Sequence, residues 1–340
     1  MTFNDAFPIR AHTVAPSRVP ARFVGPWIIG CLLALAILTG WSQREISEQT
    51  ALSVERLGVM ADSRLAAVET WLSHVRADAQ VAAQLRLLVS PASGSGPVAI
   101  VDDDVRRDLS RIVAAHRYSR IGVYGSDGSR LFVTAPAEDS EEIRRAVRRS
   151  LAEGREVTVE PDSDAGTASH IGFVVPIRPP GSGPRAFAGS PGAVLLLENA
   201  ATTMFPVMNG HSLGQKTAEV HLESVGDGRI RYLSPRAGVP RPRRGPGTWE
   251  ARAIASRHPF EGEFRDEGSV PVLAAVRFLP TEQWAVIARL NREEALAPTW
   301  RLIKLVWAAS ISLLISATAL ALGTRRRIQA RRLETSVERD

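Results

Sequence analysis

The sequence predicts an α+β protein in which two similar domains stand in tandem behind a long N-terminal helix, bracketed by two transmembrane helices. Three observations lead there. Two charge-free apolar stretches lie near the ends of the 340-residue chain, an unbroken helical pattern follows the first, and a strand spacing recurs after about 100 residues.

The apolar stretches set the topology. Residues 305–323 carry no charge and are followed by Arg325, Arg326 and Arg327. Nineteen residues at 1.5 Å each make a helix of about 28 Å, close to the ~30 Å hydrocarbon core of a bilayer. Residues 23–41 are equally free of charge. They exceed the apolar core of a cleavable signal peptide, and Leu38, Gly40 and Trp41 offer no small-residue cleavage pattern, so they read as a retained anchor. Arg10, Arg18 and Arg22 ahead of them, against the single acid Asp5, mark that tail as cytoplasmic, as Arg325–Arg327, Arg331 and Arg332 mark the other. Residues 42–304 are then expected outside the cytoplasmic membrane, on the far face from both tails.

Charge follows the same division. Of the formal +6, residues 1–22 contribute +2 (three Arg, one Asp) and residues 324–340 contribute +3 (six Arg, three acids). The outer region is nearly neutral, so the basic balance reflects topology and points to no nucleic-acid partner. Cys31 is the only cysteine, which excludes an internal disulfide and leaves the outer region to be held by its own core.

Residues 42–90 contain one glycine and no proline. Apolar residues recur in two lanes, Val54, Ala61, Val68, Val75 and Ala82, with Gly58, Leu65, Leu72 and Ala79 four residues behind. This is one helix face, either a spine packed on its own domain or a seam pairing with a second copy in a homodimer. The turn-rich PASGSGP of residues 91–97 ends it. Asp102, Asp103 and Asp104 precede an amphipathic run through Val105, Leu109, Ile112 and Val113; without the spacing of a calcium loop they read as helix capping and dipole compensation.

Residues 119–136 form a hairpin about Asp127-Gly128, a dipeptide suited to a tight two-residue turn. A helix is predicted at 138–152, and strands at 155–160, 171–177 and 193–198, with an exposed Pro/Gly/Ser loop at 179–191. The pattern then restarts. Residues 218–235 form a hairpin about Asp227-Gly228, and strands are predicted at 270–278 and 284–290. Gly172 and Phe173 follow the first turn at the same interval as Val272 and Leu273 follow the second, which defines the repeat.

The whole arrangement resembles the double Cache (dCache) sensor domain of bacterial receptors such as histidine kinases and diguanylate cyclases. The most specific segment is FRDEGSVPVLAAVRFLPTEQWAVIARLNREEALAP, in which Gly268, Val272, Leu273, Ala274, Ala275, Trp284, Glu293, Glu294 and Ala295 match the end of the membrane-proximal unit. The resemblance implies two PAS-like (Cache) units with antiparallel sheets, the membrane-distal one carrying the ligand pocket. The boundaries expected are a cytoplasmic tail (1–22), a first span (23–41), a spine helix (42–90), a distal unit (91–210), a proximal unit (211–300), a second span (305–323) and the start of a cytoplasmic signalling helix (324–340).

The sequence holds no phosphate loop, nucleophile elbow or metal-ligand spacing, so no enzymatic activity, cofactor or metal is expected. Tyr118, Arg120 and Tyr124, with His170 and Phe173 on a neighbouring strand, are the candidate ligand-binding residues. Arg120 and Tyr124 share a face by the period of two, and aromatics with an arginine suit a small carboxylate. The alternative is that Tyr124 fills core and Arg120 is a solvated strand residue. The amino-acid-binding members of the family add a tryptophan that residues 118–132 lack. His221, Tyr232 and Trp284 read as packing residues. Signal transmission is expected through Trp284, Glu293, Glu294 and Trp300. The reading is a transmembrane sensory module, most simply the input half of a histidine-kinase-type receptor with a fused or partner kinase or cyclase. The alternatives are a complete envelope protein whose outer domain binds a partner protein, or an orphan sensor that docks a separate kinase through residues 324–340.

Overall fold

The computed structural model describes residues 21–84, 89–92, 96–99, 101–116, 118–160, 170–178, 190–209, 215–226, 229–234, 249–266, 269–280 and 282–337. In chain order the elements are α1 (Ala21–Ala83), β1 (Val89–Ala92), β2 (Gly96–Ala99), α2 (Asp103–His116), β3 (Arg120–Gly125), β4 (Arg130–Val133), α3 (Glu141–Glu153), β5 (Val157–Val159), β6 (His170–Pro176), β7 (Gly192–Asn199), α4 (Met204–Asn209), β8 (Glu219–Gly226), β9 (Arg229–Tyr232), α5 (Trp249–Ser256), β10 (Phe260–Arg265), β11 (Pro271–Phe278), β12 (Trp284–Asn291) and α6 (Arg292–Val337). The described residues divide into two bodies, one within 1–49 and 296–340 and one within 50–295.

The first body is helical, built from the start of α1 and most of α6. Both helices contain a stretch long and apolar enough to cross a membrane. Their aliphatic side chains point outward: Leu33 is 63% exposed and Leu313 71%. A surface so apolar has no core to enter and suits lipid. Within this body Trp307 Nε1 donates to Ser42 Oγ at 3.1 Å, tying the two helices together.

The second body carries two five-stranded, wholly antiparallel sheets. Their orders are β4-β3-β7-β6-β5 and β9-β8-β12-β11-β10. Counted within each lobe, both read 2-1-5-4-3. The helix between the second and third strand recurs as well, as α3 in the first lobe and α5 in the second. Gly172 and Phe173 lie on β6, and Val272 and Leu273 on the equivalent β11. The repeat in the sequence is thus a repeat of topology.

The α1 stripe is a spine packed on its own body: Ala61, Val68, Leu72, Val75, Ala79 and Ala82 are buried in one core with Ile121, Val123, Phe173 and Leu196 of the first lobe and Leu222, Leu273 and Val286 of the second. Each Val, Leu, Ile or Phe among them contributes about 1.5–3 kcal/mol on burial, and each Ala less. The opposite face of the first sheet, with Tyr124, Val174, Leu195 and Leu197, is covered by Ile143, Ala146 and Val147 of α3. Ala274, Val276, Ala285 and Ile287 of the second sheet meet Trp249 and Ile254 of α5, and Trp249 stacks on Phe264 with ring centroids 4.6 Å apart.

Several elements differ from expectation. The spine helix ends at Ala83 rather than near 90, and part of the turn-rich PASGSGP forms β1 and β2. Pro91 and Pro97 face each other in that ladder, which no other described strand joins, the edge setting in which proline is tolerated. Asp102 accepts the N–H of Val105 at 2.8 Å as the cap of α2. The Asp127-Gly128 turn is one residue longer than predicted: Gly125 N donates to Ser129 O (2.8 Å) and Gly128 N to Gly125 O (2.9 Å), with Gly128 at φ 79°. This is the three-residue loop that requires a left-handed residue before the second strand. Asp227-Gly228, Gly268 and the loop at 179–189 lie outside the described residues. Helix α4 and the α5–β10 pair have no counterpart in the predicted elements.

Candidate functional site

Strand β3 sets Arg120, Gly122 and Tyr124 on the face that α3 covers. Gly122 leaves room for the Tyr124 ring to fold back along the strand, since a Cβ there would meet the ring at 3.0 Å. The phenol thereby reaches the guanidinium: Arg120 Nη2 donates to Tyr124 OH at 3.3 Å and to Asp139 Oδ1, while Tyr124 OH donates to the same oxygen at 3.0 Å. Arg120 Nη1 points to the carbonyl of Glu138 at 3.5 Å. The side chains of Arg120 and Asp139 are only 6% and 11% exposed. Burial pushes the Tyr124 hydroxyl pKa up, with Arg120 opposing, so it stays a neutral donor.

Arg120 is therefore neither solvated nor simple packing. A buried guanidinium needs a carboxylate, and this one takes it from the loop that leads to Ser140, the N-cap of α3. The planar carboxylate held between the arginine and the phenol is that of Asp139.

The remaining predicted ligand residues are distributed differently. Phe173 is fully buried on the opposite face, with the Arg76 guanidinium 5.2 Å from its ring centroid. The ladder explains it: Arg120 and Gly172 both stand opposite Leu197, whereas Phe173 stands opposite Leu196 with Ile121. Tyr118 precedes β3, lies in the spine core, donates its hydroxyl to Asp78 and stacks on His116 at 5.9 Å. Burial, reinforced by Asp78, raises its pKa. His170 opens β6 opposite Asn199, on the Arg120 side of the ladder. Arg120 and Tyr124 are thus brought together, Tyr118 and Phe173 are not, and Asp139 is the member that sequence reasoning missed. Its signal was an acid placed just before a capping serine.

Of the expected transmission residues, Glu294 is the most engaged. Its carboxylate accepts from the backbone N–H groups of Lys216 (2.6 Å) and Thr217 (2.8 Å) and from the Thr217 hydroxyl, which together hold its pKa below the ordinary carboxylate range. Glu293 is exposed in the first turn of α6, and Trp300, in the helical body, is 39% exposed. Trp284 is buried at the start of β12, and its indole N–H donates to Glu160 Oε1 at 3.0 Å.

That last contact lies beside a cleft of about 530 Å³, lined by α3, β5, Arg76, Arg257 and the β11–β12 connection. Arg76 pairs there with Glu156 (2.5 Å) and Glu282 (3.1 Å), and burial raises the pKa of Glu282. Among the described residues no cluster of His, Cys, Asp and Glu is arranged to hold a metal ion.

No protein-family profile and no curated protein matches the sequence. Solved structures do match, at low identity. The ligand-binding domain of the Pseudomonas aeruginosa amino acid chemoreceptor PctB, solved with L-Gln, is 16% identical with a TM-score of 0.50, over 75% of this chain and 98% of that domain. The periplasmic sensory domain of the Campylobacter jejuni chemoreceptor Tlp1 is 12% identical with a TM-score of 0.53, over 74% and 99%. The extracellular domain of the putative histidine kinase mmHK1S-Z3 is 15% identical with a TM-score of 0.50, over 75% and 98%. The chain has the fold of these sensor domains, in agreement with the double Cache resemblance in the sequence.

Proposed function

We propose that this chain is the sensory module of a two-span membrane receptor, with its α+β body outside the cytoplasmic membrane and both termini inside. A small molecule carrying a carboxylate binds in the first lobe, and the binding biases a cytoplasmic output of kinase or cyclase type. The observation that carries this reading is the buried Arg120–Tyr124 pair, whose carboxylate partner sits on a loop rather than on the sheet. A ligand carboxylate would take the place of Asp139, freeing the loop ahead of α3. The fold supports the reading, because PctB and Tlp1 are receptors built on it.

The test is a thermal-shift screen of the full chain in lipid nanodiscs against organic acids, amino acids, amines and purines. A ligand at 100 times its Kd stabilises by about 2.7 kcal/mol. The expected hit is a carboxylate whose shift disappears in Arg120→Ala and Tyr124→Phe. Topology is checked in a Cys31→Ser background: an impermeant maleimide is expected to label a cysteine at Asp127 in intact cells, and one at Thr335 only after permeabilisation.

A second reading is favoured by the cleft, whose volume lies in the range of small-ligand sites. A hit that survives Arg120→Ala and is lost in Arg257→Ala would place the ligand there.

A further inference from the structure

Strand β5 pairs with β6 on one side and with no described strand on the other. Val157 and Val159 lie in the core beneath α3. By the period of two, Glu156, Thr158 and Glu160 alternate on the opposite face, and Thr158 shares the ladder position of Phe173. The polar face of an edge strand ordinarily meets water. This one meets the spine and the second lobe.

Glu156 takes Arg76 of α1, which also holds Glu282 of the second lobe, and Thr158 faces Glu282. Glu160 uses both oxygens: Oε1 accepts from Trp284 Nε1 at 3.0 Å and Oε2 from Ser224 Oγ at 3.1 Å. Trp284 and Ser224 are partners across the β12–β8 ladder and are 1% and 0% exposed. Buried donors of this kind are costly to leave unpaired, so Glu160 is held in place.

We propose that the polar face of β5 is the coupling element between the two lobes, with Glu160 as its clasp on the strand that continues into α6. Asp139 immediately precedes the cap of α3, and α3 packs on β5. The Arg120–Asp139 pair and the Glu160 clasp are therefore the two ends of one α3–β5 segment. A shift of α3 when Asp139 leaves Arg120 would move β5, pull on Trp284 and Ser224, and reach Asn291, after which α6 begins. The purpose assigned to this coupling rests on the sensor reading, but its existence does not, and the test needs no ligand.

Hydrogen exchange by mass spectrometry on the full chain in nanodiscs would compare the native protein, Asp139→Asn, Glu160→Gln and the double variant. Asp139→Asn is expected to speed exchange in β12 at least about fivefold, the low end of ordinary site-to-site coupling. In the Glu160→Gln background the same change is expected to add less than about twofold. The amide in Glu160→Gln would keep one acceptor for the two donors; should that variant fail to fold, Trp284→Phe removes the indole donor and is expected to uncouple in the same way. Equal factors in both backgrounds would overturn the proposal, as would an Asp139→Asn effect confined to β3 and α3. A ligand screen without hits would leave this result untouched. A ligand found without coupling would leave the sensor reading standing and remove the clasp.

Discussion

Replacing Asp139 by alanine probes the candidate site without any knowledge of its ligand. The side chains of Arg120 and Asp139 are 6% and 11% exposed, and the carboxylate oxygen accepts from both the guanidinium and Tyr124. Removing one partner of a buried pair strands the other charge, a cost of roughly 3–5 kcal/mol. At ~2–4 °C per kcal/mol for a body of this size, the melting temperature should fall by about 6–20 °C. Arg120→Leu with Asp139→Ala removes both charges and should recover most of the loss, because desolvation then disappears with the interaction. The assay is thermal unfolding of the native chain, both single variants and the double, repeated with roughly 50–100 mM acetate or propionate as added probes, enough to fill most of a site with a Kd of about 10 mM, or about −2.7 kcal/mol. The anions are expected to raise the melting temperature of Asp139→Ala and to leave the native protein and the double variant unchanged. An Asp139→Ala loss within about 0.5 kcal/mol of zero would refute the buried pair. A full loss with no response to either anion would refute the idea that the position accepts an external carboxylate.

Other positions give independent checks. Gly172→Ala would drive a Cβ into the backbone carbonyl of Leu196, a clash that no rotamer relieves, so chemical denaturation should show a loss of at least about 3 kcal/mol. Glu198 is buried, and burial raises its pKa. The native state then binds the proton more tightly than the unfolded chain, so this residue costs stability as pH rises from ~4.3 towards its folded pKa. Glu198→Gln should accordingly raise the melting temperature at pH 7 and lose that advantage below about pH 4. Glu294 has the opposite sign: its lowered pKa gives a contribution present above the ordinary carboxylate pKa and lost as pH falls through the folded value. Glu294→Ala should speed amide exchange at Lys216 and Thr217, whose N–H groups lose their acceptor.

Much of the architecture was legible because it depends on local periodicity. The heptad lanes of α1, the charge-free stretches and the two Asp-Gly hairpins all express spacings that hold in any tertiary context. Helix α4 and strand β10 were not legible. The first is six residues long, and the second is Phe-Glu-Gly-Glu-Phe-Arg, with a glycine and three charges that weaken any strand signal. The pairing of Arg120 with Tyr124 could be read from the period of two along one strand. The separation of Phe173 from both could not, because it depends on the register between β6 and β7.

By itself the sequence determined the two apolar helices, the apolar stripe of α1, the doubled hairpin-led pattern and the candidate arginine, while the packing of that stripe on its own body was left to the structure. The tertiary structure alone decided the common 2-1-5-4-3 order, the burial of Arg120 against Asp139, and what the polar face of β5 touches. The reason is physical. Alternation records only that Glu156, Thr158 and Glu160 avoid an apolar core, and water satisfies that demand as well as Arg76, Glu282, Trp284 and Ser224 do. Which of the two is present depends on groups some 60 to 125 residues away in the chain, brought to the strand only when both lobes pack on one helix.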